Sequence, residues 1–437
     1  MPLLHGIHLP HRKNTAALSP VRMPVPKSVT IPMSMHIGAP AKPVVKVGDE
    51  VKVGTLIGEA GGFVSAPVHS SVSGKVTAIG NVWMSNGSES VAVTIESDGQ
   101  MLTDESCTPP DVHDYDSFIA AVRASGAVGL GGAGFPTAVK LDVKDTSRIE
   151  TIILNGAECE PYITSDTRTM IDNAALVSEG IELLKKYLDA KNIIIGIEKN
   201  KPEAIAEMKK LESDPAVSVK VLPSIYPQGG EKVLVYHCTG KVVGEGKLPI
   251  DVGVVVMNVT TLAFIANYIK TGVPLVEKVL TVDGSAVTEP KNVIVPVGAA
   301  ISEVFEFCGG FKSEPGKVLY GGPMMGLSVK RLESPVLKNN NALIAFEEKD
   351  AHLPEPTNCI RCGRCVRACP MKLMPLDFGR GLALRDYDLL EARKVNLCME
   401  CGCCAYVCPT NRPLVENHKL AKAALRIHKE TMKGADK

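Results

Sequence analysis

Two runs of cysteine near the C-terminal end of the chain repeat one spacing: Cys359, Cys362, Cys365 and Cys369 closed by Pro370, then Cys398, Cys401, Cys404 and Cys408 closed by Pro409. Both read C-x2-C-x2-C-x3-C-P, a pattern that holds four-iron, four-sulfur clusters. Three thiolates two residues apart on a curled loop can face three corners of one cubane. The fourth opens a helix leading away, so in a two-cluster arrangement it reaches the other cube. By that rule Cys359, Cys362, Cys365 and Cys408 hold one cluster, and Cys369, Cys398, Cys401 and Cys404 hold the second. A zinc module would use four thiolates, as two C-x2-C pairs; eight in two identical runs favour iron and sulfur. Cys403 falls at a position the motif does not use and reads as a packed thiol. Cys107, Cys238 and Cys308 are isolated and read as small core residues. Arg361, Arg364 and Arg367 lie among the ligands, where a solvated face accounts for them as well as a tuned cluster does.

With 437 residues the chain exceeds one hydrophobic core, and two to four domains are expected. Lys plus Arg and Asp plus Glu are balanced at 48 each, so no overall field points to nucleic acid or to an anionic membrane. No apolar run reaches the roughly 20 residues of a membrane span, and the N-terminal residues do not read as a signal peptide. Eight of the 13 cysteines sit in the two runs, which fits metal ligation in a reducing compartment better than a disulfide scaffold. The chain reads as soluble and cytoplasmic, with any membrane attachment made through a partner.

Residues 1–27, rich in Pro, His and basic residues, read as an extended arm. Residues 28–105 show short apolar alternations broken by glycine, the pattern of a small all-β unit. Its wording resembles the barrel-sandwich hybrid of biotinyl and lipoyl domains. The lysine that carries their cofactor is missing from the tip, which reads Val68-His69-Ser70-Ser71, so a docking or structural module is expected rather than a swinging arm. Across residues 112–270 strands alternate with helices: strands at Ile149–Asn155, Asn192–Glu198 and Val217–Leu222, helices at Asp172–Leu188 and Pro202–Leu211. That order implies a layered, Rossmann-like α/β sheet with ligands at the strand C-terminal ends. Residues 275–330 suit a small β-grasp unit, and 340–437 a helical two-cluster domain in the style of ferredoxins. The expected fold class is therefore multidomain, α/β and α+β.

A second chemical signal lies in the middle of the chain. Gly129-Leu130-Gly131-Gly132-Ala133-Gly134-Phe135 is followed by Lys140, and a glycine-rich turn lets backbone amides approach a phosphate. It does not follow a predicted strand, as a dinucleotide fingerprint would. Three further segments are Leu154 to Pro161, Tyr226 to Lys232 and Met257 to Leu262. Together the four resemble the flavin-binding, NADH-oxidising subunit of bacterial respiratory complex I over about residues 116–330. The resemblance implies that Gly129, Gly131, Gly132 and Lys140 wrap the FMN phosphate and ribityl chain. Asn155, Asn258 and Thr261 would contact the flavin, Phe135 would lie over the nucleotide, and Tyr226 and Gly229 would complete the cofactor site. Glu158, Glu160 and Glu231 fall where that family keeps acidic residues near the nicotinamide, so they are the candidate catalytic residues for exchange with NAD(H). The sequence departs from that family at Leu130, Ala157 and Gly230, where an Arg, an Asp and a Glu are expected. Each change removes a polar contact.

The whole chain, to about residue 410, resembles the C-subunit family of the Rnf-type ion-translocating ferredoxin–NAD oxidoreductases. The opening Gly6-Ile7-His8-Leu9-Pro10, the segment His36 to Pro43, the β module, the flavin-like domain, the SLBB-like β-grasp unit and the cysteine runs occur in that order. The resemblance implies hydride exchange with NAD(H) at FMN and single-electron transfer through two [4Fe-4S] clusters. The implied partners are subunits of a membrane-bound complex, including a ferredoxin-like iron–sulfur subunit, that pumps Na+ or H+. It places the chain peripherally on the cytoplasmic face of the inner membrane. Two rival readings stay open at this level: a soluble cobalamin reductase with a flavin and paired clusters, and a flavin-free wiring subunit.

Overall fold

A computed structural model describes residues 4–435. Its chain forms four sheets and a C-terminal group of helices.

The first β unit pairs a four-stranded sheet (Ser28–Pro32, Glu89–Ser97, Gly74–Trp83, Glu50–Val51, in spatial order) with a three-stranded one built from Lys42–Pro43, Leu56–Glu59 and Val68–His69. Along Ser28–Pro32 the side chains alternate, and Val29 and Ile31 turn inward to meet Ile57, Val68, Val93 and Ile95. The tip is not free. Ser71 Oγ donates to Val297 O at 2.6 Å, and buried Lys338 donates to Pro67 O at 2.7 Å and to Gly126 O at 2.8 Å. The tip therefore docks against the rest of the chain, the role read from its missing lysine.

The α/β domain carries a four-stranded parallel sheet in the order Val217–Leu222, Ile193–Glu198, Thr151–Asn155, Val254–Asn258. The first three strands step outward in sequence order, and the fourth returns to the other side of Thr151–Asn155. That reversal is a topological switch point, outside whose carboxyl ends ligands bind in open α/β sheets. Asn155 and Asn258 are register partners at those ends. The expected helix at Asp172–Leu188 starts at Ala174, and a separate helix, Ser165–Asp172, precedes it. The earlier helix buries Asp166, Thr167, Arg168 and Thr169, so it has no apolar stripe for a periodicity reading to find.

A six-stranded sheet follows, ordered Val21–Arg22, Lys291–Pro296, Glu277–Asp283, Ala342–Phe346, Lys317–Tyr320, Leu327–Val329. Its edge strand comes from the N-terminal arm, which is extended but packed rather than loose. The arm also bridges Ile7 to Tyr226 and buries Thr15 against Thr164. The cysteine runs lie among the helices Arg364–Ala368, Pro375–Leu384, Tyr387–Ala392, Cys403–Tyr406 and Leu414–Ala435. Phe378, Leu390, Val395, Ala421 and Leu425 make the core of that region. The chain is thus a multidomain α/β and α+β protein, as the sequence led us to expect. Among the described residues no helix is long and apolar enough to cross a membrane.

Candidate flavin and iron-sulfur sites

The four motifs of the middle region meet at the switch point. Asn258 caps the helix Val259–Thr271, its Oδ1 accepting from Thr261 N at 3.1 Å. Thr261 Oγ1 in turn accepts from Leu130 N at 2.9 Å, which pins the glycine loop to the cap. Gly131 packs so closely that a Cβ there would sit 2.9 Å from Asn258 Nδ2, and Gly132 has φ +119°, in the left-handed region. Asn155 Nδ2 donates to Gly229 O at 3.0 Å and its Oδ1 accepts from Ala157 N at 3.2 Å, joining the second and third motifs. Lys140 Nζ donates to Glu231 Oε1 at 2.8 Å and to Val256 O at 3.1 Å, joining the first motif to the third and to the strand that leads into the fourth.

The glycine loop is held from outside by its carbonyls. Lys278 Nζ donates to Leu130 O at 2.7 Å, Asn339 Nδ2 to Gly132 O at 2.8 Å, and Ile37 N to Gly134 O at 3.0 Å. The amides of Gly131, Gly132 and Ala133 have no acceptor among the described residues, and all three residues are exposed. A loop with tied carbonyls and consecutive free N–H groups is chemically suited to a phosphate. Phe135 is half-buried at its end. The donor set and the glycine cradle therefore fit FMN.

The three candidate acids divide. Glu231 opens the helix Glu231–Thr239, is half-exposed and faces Lys140 on the rim. Glu158 is taken up by the start of the helix Ser165–Asp172: its Oε1 accepts from Asp166 N at 2.6 Å and its Oε2 from Thr167 N at 3.3 Å. Glu160 accepts from Met324 N at 3.0 Å and Met325 N at 2.8 Å, tying the β-grasp unit to the flavin domain. Its neighbour Cys159 accepts from Gly229 N at 3.3 Å, and burial pushes that thiol up to about 12.

Burial pushes the Glu160 carboxyl up to about 7, against the opposing pull of the two amides. Between its ordinary value of 4.5 and about 7 the folded protein keeps a proton that the unfolded chain has released. This group's contribution to stability therefore falls as pH rises through that window. Glu160→Gln is expected to flatten the fall in thermal stability of the cofactor-loaded protein between about pH 5 and 7. An unchanged slope would assign the titration to another group.

Beneath the same loop lies a lysine that the motifs did not point to. Lys13, from the arm, donates to Glu158 O at 2.9 Å, to Glu160 O at 2.8 Å and to Ile163 O. It clamps a segment whose backbone is left-handed at Glu158, φ 47°. Lys201 holds the other flank, donating to Ala157 O at 2.6 Å and to Glu198 Oε2 at 3.0 Å. Asp166 accepts from Asn258 Nδ2 at 2.8 Å and Thr260 Oγ1 at 2.6 Å. None of the three had a local signal in the sequence; the helix that carries Asp166 has no apolar stripe.

The departures from the complex I pattern have structural counterparts. Leu130 is buried against Ala66, Val128 and Leu275, where the β module covers the loop. Ala157 is fully buried. A Cβ on Gly230 would lie 2.2 Å from Met399 Cε, so the second cysteine loop occupies the space a larger residue would need.

The eight cysteines line two cavities. Cys369, Cys398, Cys401 and Cys404 ring one, with Phe378 and His418 in its wall. Cys359, Cys362, Cys365 and Cys408 ring the other, with Leu376, Arg412 and Leu414. Among the described residues no three metal-binding side chains close on a single-ion site, and thiols spread around a cavity suit a cluster. Cys403 is buried, its thiol donating to Tyr226 O at 3.7 Å. Cys238 and Cys308 are buried, and Cys107 is half-buried.

Sheet order, glycine cradle and paired thiol cavities define the class: an iron–sulfur flavoprotein. Residues 122–267 match the Nuo51 FMN-binding domain, 2–100 the RnfC barrel sandwich hybrid domain, 279–328 the SLBB domain and 358–412 the 4Fe-4S dicluster domain. The C subunit of the Na(+)-translocating ferredoxin:NAD(+) oxidoreductase complex of Acetobacterium woodii is 43% identical over 392 residues, 89% of this chain and 88% of that one. Its counterpart in the proton-translocating complex of Clostridium ljungdahlii is 42% identical over 377 residues, 85% of this chain and 82% of that one. A solved NAD+-reducing [NiFe]-hydrogenase chain shares the fold, with a TM-score of 0.52 at 19% identity, covering 74% of this chain and 64% of its own. The chain belongs to the Rnf family of C subunits of ion-translocating oxidoreductases. Its cofactors are FMN and two [4Fe-4S] clusters.

Proposed function

We propose that this chain is the NAD(H)-exchanging subunit of a membrane-bound, ion-translocating ferredoxin:NAD+ oxidoreductase. The observation that carries the reading is the junction of sites: Gly229 and Gly230, beside the switch point, touch Asn155 on one side and Met399 of a cluster loop on the other. FMN exchanges hydride with a nicotinamide and single electrons with the clusters. The protein's part is to hold these groups in order. Gly129, Gly131 and Gly132 with Lys140 would take the phosphate end, and Asn155, Asn258 and Thr261 the flavin end at the switch point. Phe135 would cover the nucleotide, and Tyr226 and Gly229 would back the site.

Glu231 is the acid that remains free to face a nicotinamide, and Lys140 keeps it oriented. Glu158 and Glu160 act as positioning residues, because their oxygens already accept backbone amides. The eight cysteines would hold the clusters in the two sets that line the cavities. Pumping of Na+ or H+ falls to partner subunits, among them a ferredoxin-like iron–sulfur subunit. The chain would sit peripherally on the cytoplasmic face of the membrane.

Titrating the anaerobically purified protein with NADH, followed by visible and paramagnetic spectra, tests this. The flavin should bleach and both clusters should reduce. Bound FMN absent together with no NADH oxidation would leave only an electron wire. Cob(III)alamin reduction with no membrane association in cells would favour a cobalamin reductase.

A further inference from the structure

The two cluster cavities are not equivalent. The one ringed by Cys369, Cys398, Cys401 and Cys404 adjoins the flavin domain through Met399 and Cys403. The other has Cys359 and Cys362 exposed, with Ile360 between them 67% exposed. Residues 356–376 and 401–415, which carry the four cysteines of this outer cavity, contain Arg361, Arg364, Arg367, Lys372 and Arg412 but no Asp or Glu. That is a local imbalance in a chain with 48 basic and 48 acidic residues.

These arginines are also unspent. Among the described residues, none of the four makes an ion pair, and the side chains of Arg361 and Arg364 have no hydrogen-bond partner. Arg367 donates only to Cys362 O, at 3.2 Å, and Arg412 only to Thr357 O, at 3.5 Å, its buried Nε lacking an acceptor. Guanidinium groups suit paired recognition of carboxylates. A single-sign patch steers an oppositely charged partner over about a Debye length, about 8–10 Å.

We propose that the arginine-rimmed face over the Cys359, Cys362, Cys365 and Cys408 cavity is the docking surface for an acidic electron-carrier domain of a partner subunit. One electron at a time crosses there, between the cluster held in that cavity and the partner's own redox centre. Ile360 supplies the apolar contact at its middle. This rests on the functional reading above, in which the flavin exchanges electrons first with the cluster of the other cavity.

The test uses the full chain loaded with FMN and both clusters, and membranes bearing the other subunits but stripped of this one. Arg361→Glu/Arg364→Glu/Arg367→Glu should cut rebinding at least about tenfold and abolish its salt dependence. NADH should still reduce both clusters in that variant. Because Arg367 braces the Cys362 loop, Arg361→Ala/Arg364→Ala is the second variant, and a several-fold loss is expected. Rebinding unchanged at low salt in both variants would overturn the proposal. So would native binding to anionic lipid vesicles as tight as to the membranes, or a shifted cluster potential with rebinding intact. Failure of NADH to reduce clusters in the native chain would instead refute the functional reading, whatever the binding shows.

Discussion

Cys369→Ser is expected to lower the iron content from about eight to about four atoms per chain, and to remove the cluster of the second run rather than its own. The reason is spatial: Cys369 shares its cavity with Cys398, Cys401 and Cys404, not with the three cysteines that precede it. Cys408→Ser should do the converse and leave the flavin-side cluster reducible by NADH. Pairs of substitutions make the assignment unambiguous. Cys369→Ser with Cys401→Ser should lose no more iron than either alone, whereas Cys369→Ser with Cys362→Ser should lose nearly all. Non-additivity of this kind is what two ligands of one group produce. If instead Cys369 and Cys362 behaved as one unit in iron analysis and paramagnetic spectra, each run would hold its own cube.

The second large effect is predicted at Lys13. Lys13→Met removes the donor from three carbonyls of the segment 158–163 at once. An unmet buried acceptor costs about 1–3 kcal/mol, and part of that is recovered by water, so local stability should drop by about 2–4 kcal/mol. It also takes away the positive charge beside the buried Glu158 carboxylate, which favours that group's neutral form further. Amide hydrogen exchange across residues 158–170 should speed up by one to two orders of magnitude or more, and the KM for NADH should rise while FMN content holds. Lys13→Arg should recover part of both. Exchange rates unchanged in Lys13→Met would show that Lys201 and the helix cap hold the segment unaided.

What the sequence disclosed and what it hid follow from the range of the interactions involved. The candidate cluster cysteines are legible because three of each proposed set lie within seven residues, so spacing alone encodes geometry. The strands Ile193–Glu198 and Val217–Leu222 are legible for a similar reason: each is a short apolar run bounded by turns. The glycine loop reads in the sequence as a candidate phosphate cradle but not as a place in the fold, because it precedes the sheet instead of following a strand. Lys13, Lys278 and Asn339 were not legible at all. Each acts on a carbonyl more than 140 residues away, at a separation of 145 to Glu158, 148 to Leu130 and 207 to Gly132. No local pattern records such a contact. Glu158 and Glu160 were visible as a motif, but the backbone amides that occupy them come from elsewhere in space.

The packed arm has a consequence for how the protein is made. Its residues leave the ribosome before the ones they pair with: Ile7 waits for Tyr226 and Val21 waits for Val293. A short strand with an unpaired edge must therefore stay out of trouble while some 270 further residues are synthesised, at about 5–20 residues per second. The same pairing makes the arm a late fastener: the flavin domain and the six-stranded sheet are cinched together only after both exist. A bulky fusion ahead of Gly6 should thus delay assembly of the mature subunit more than it disturbs the finished one.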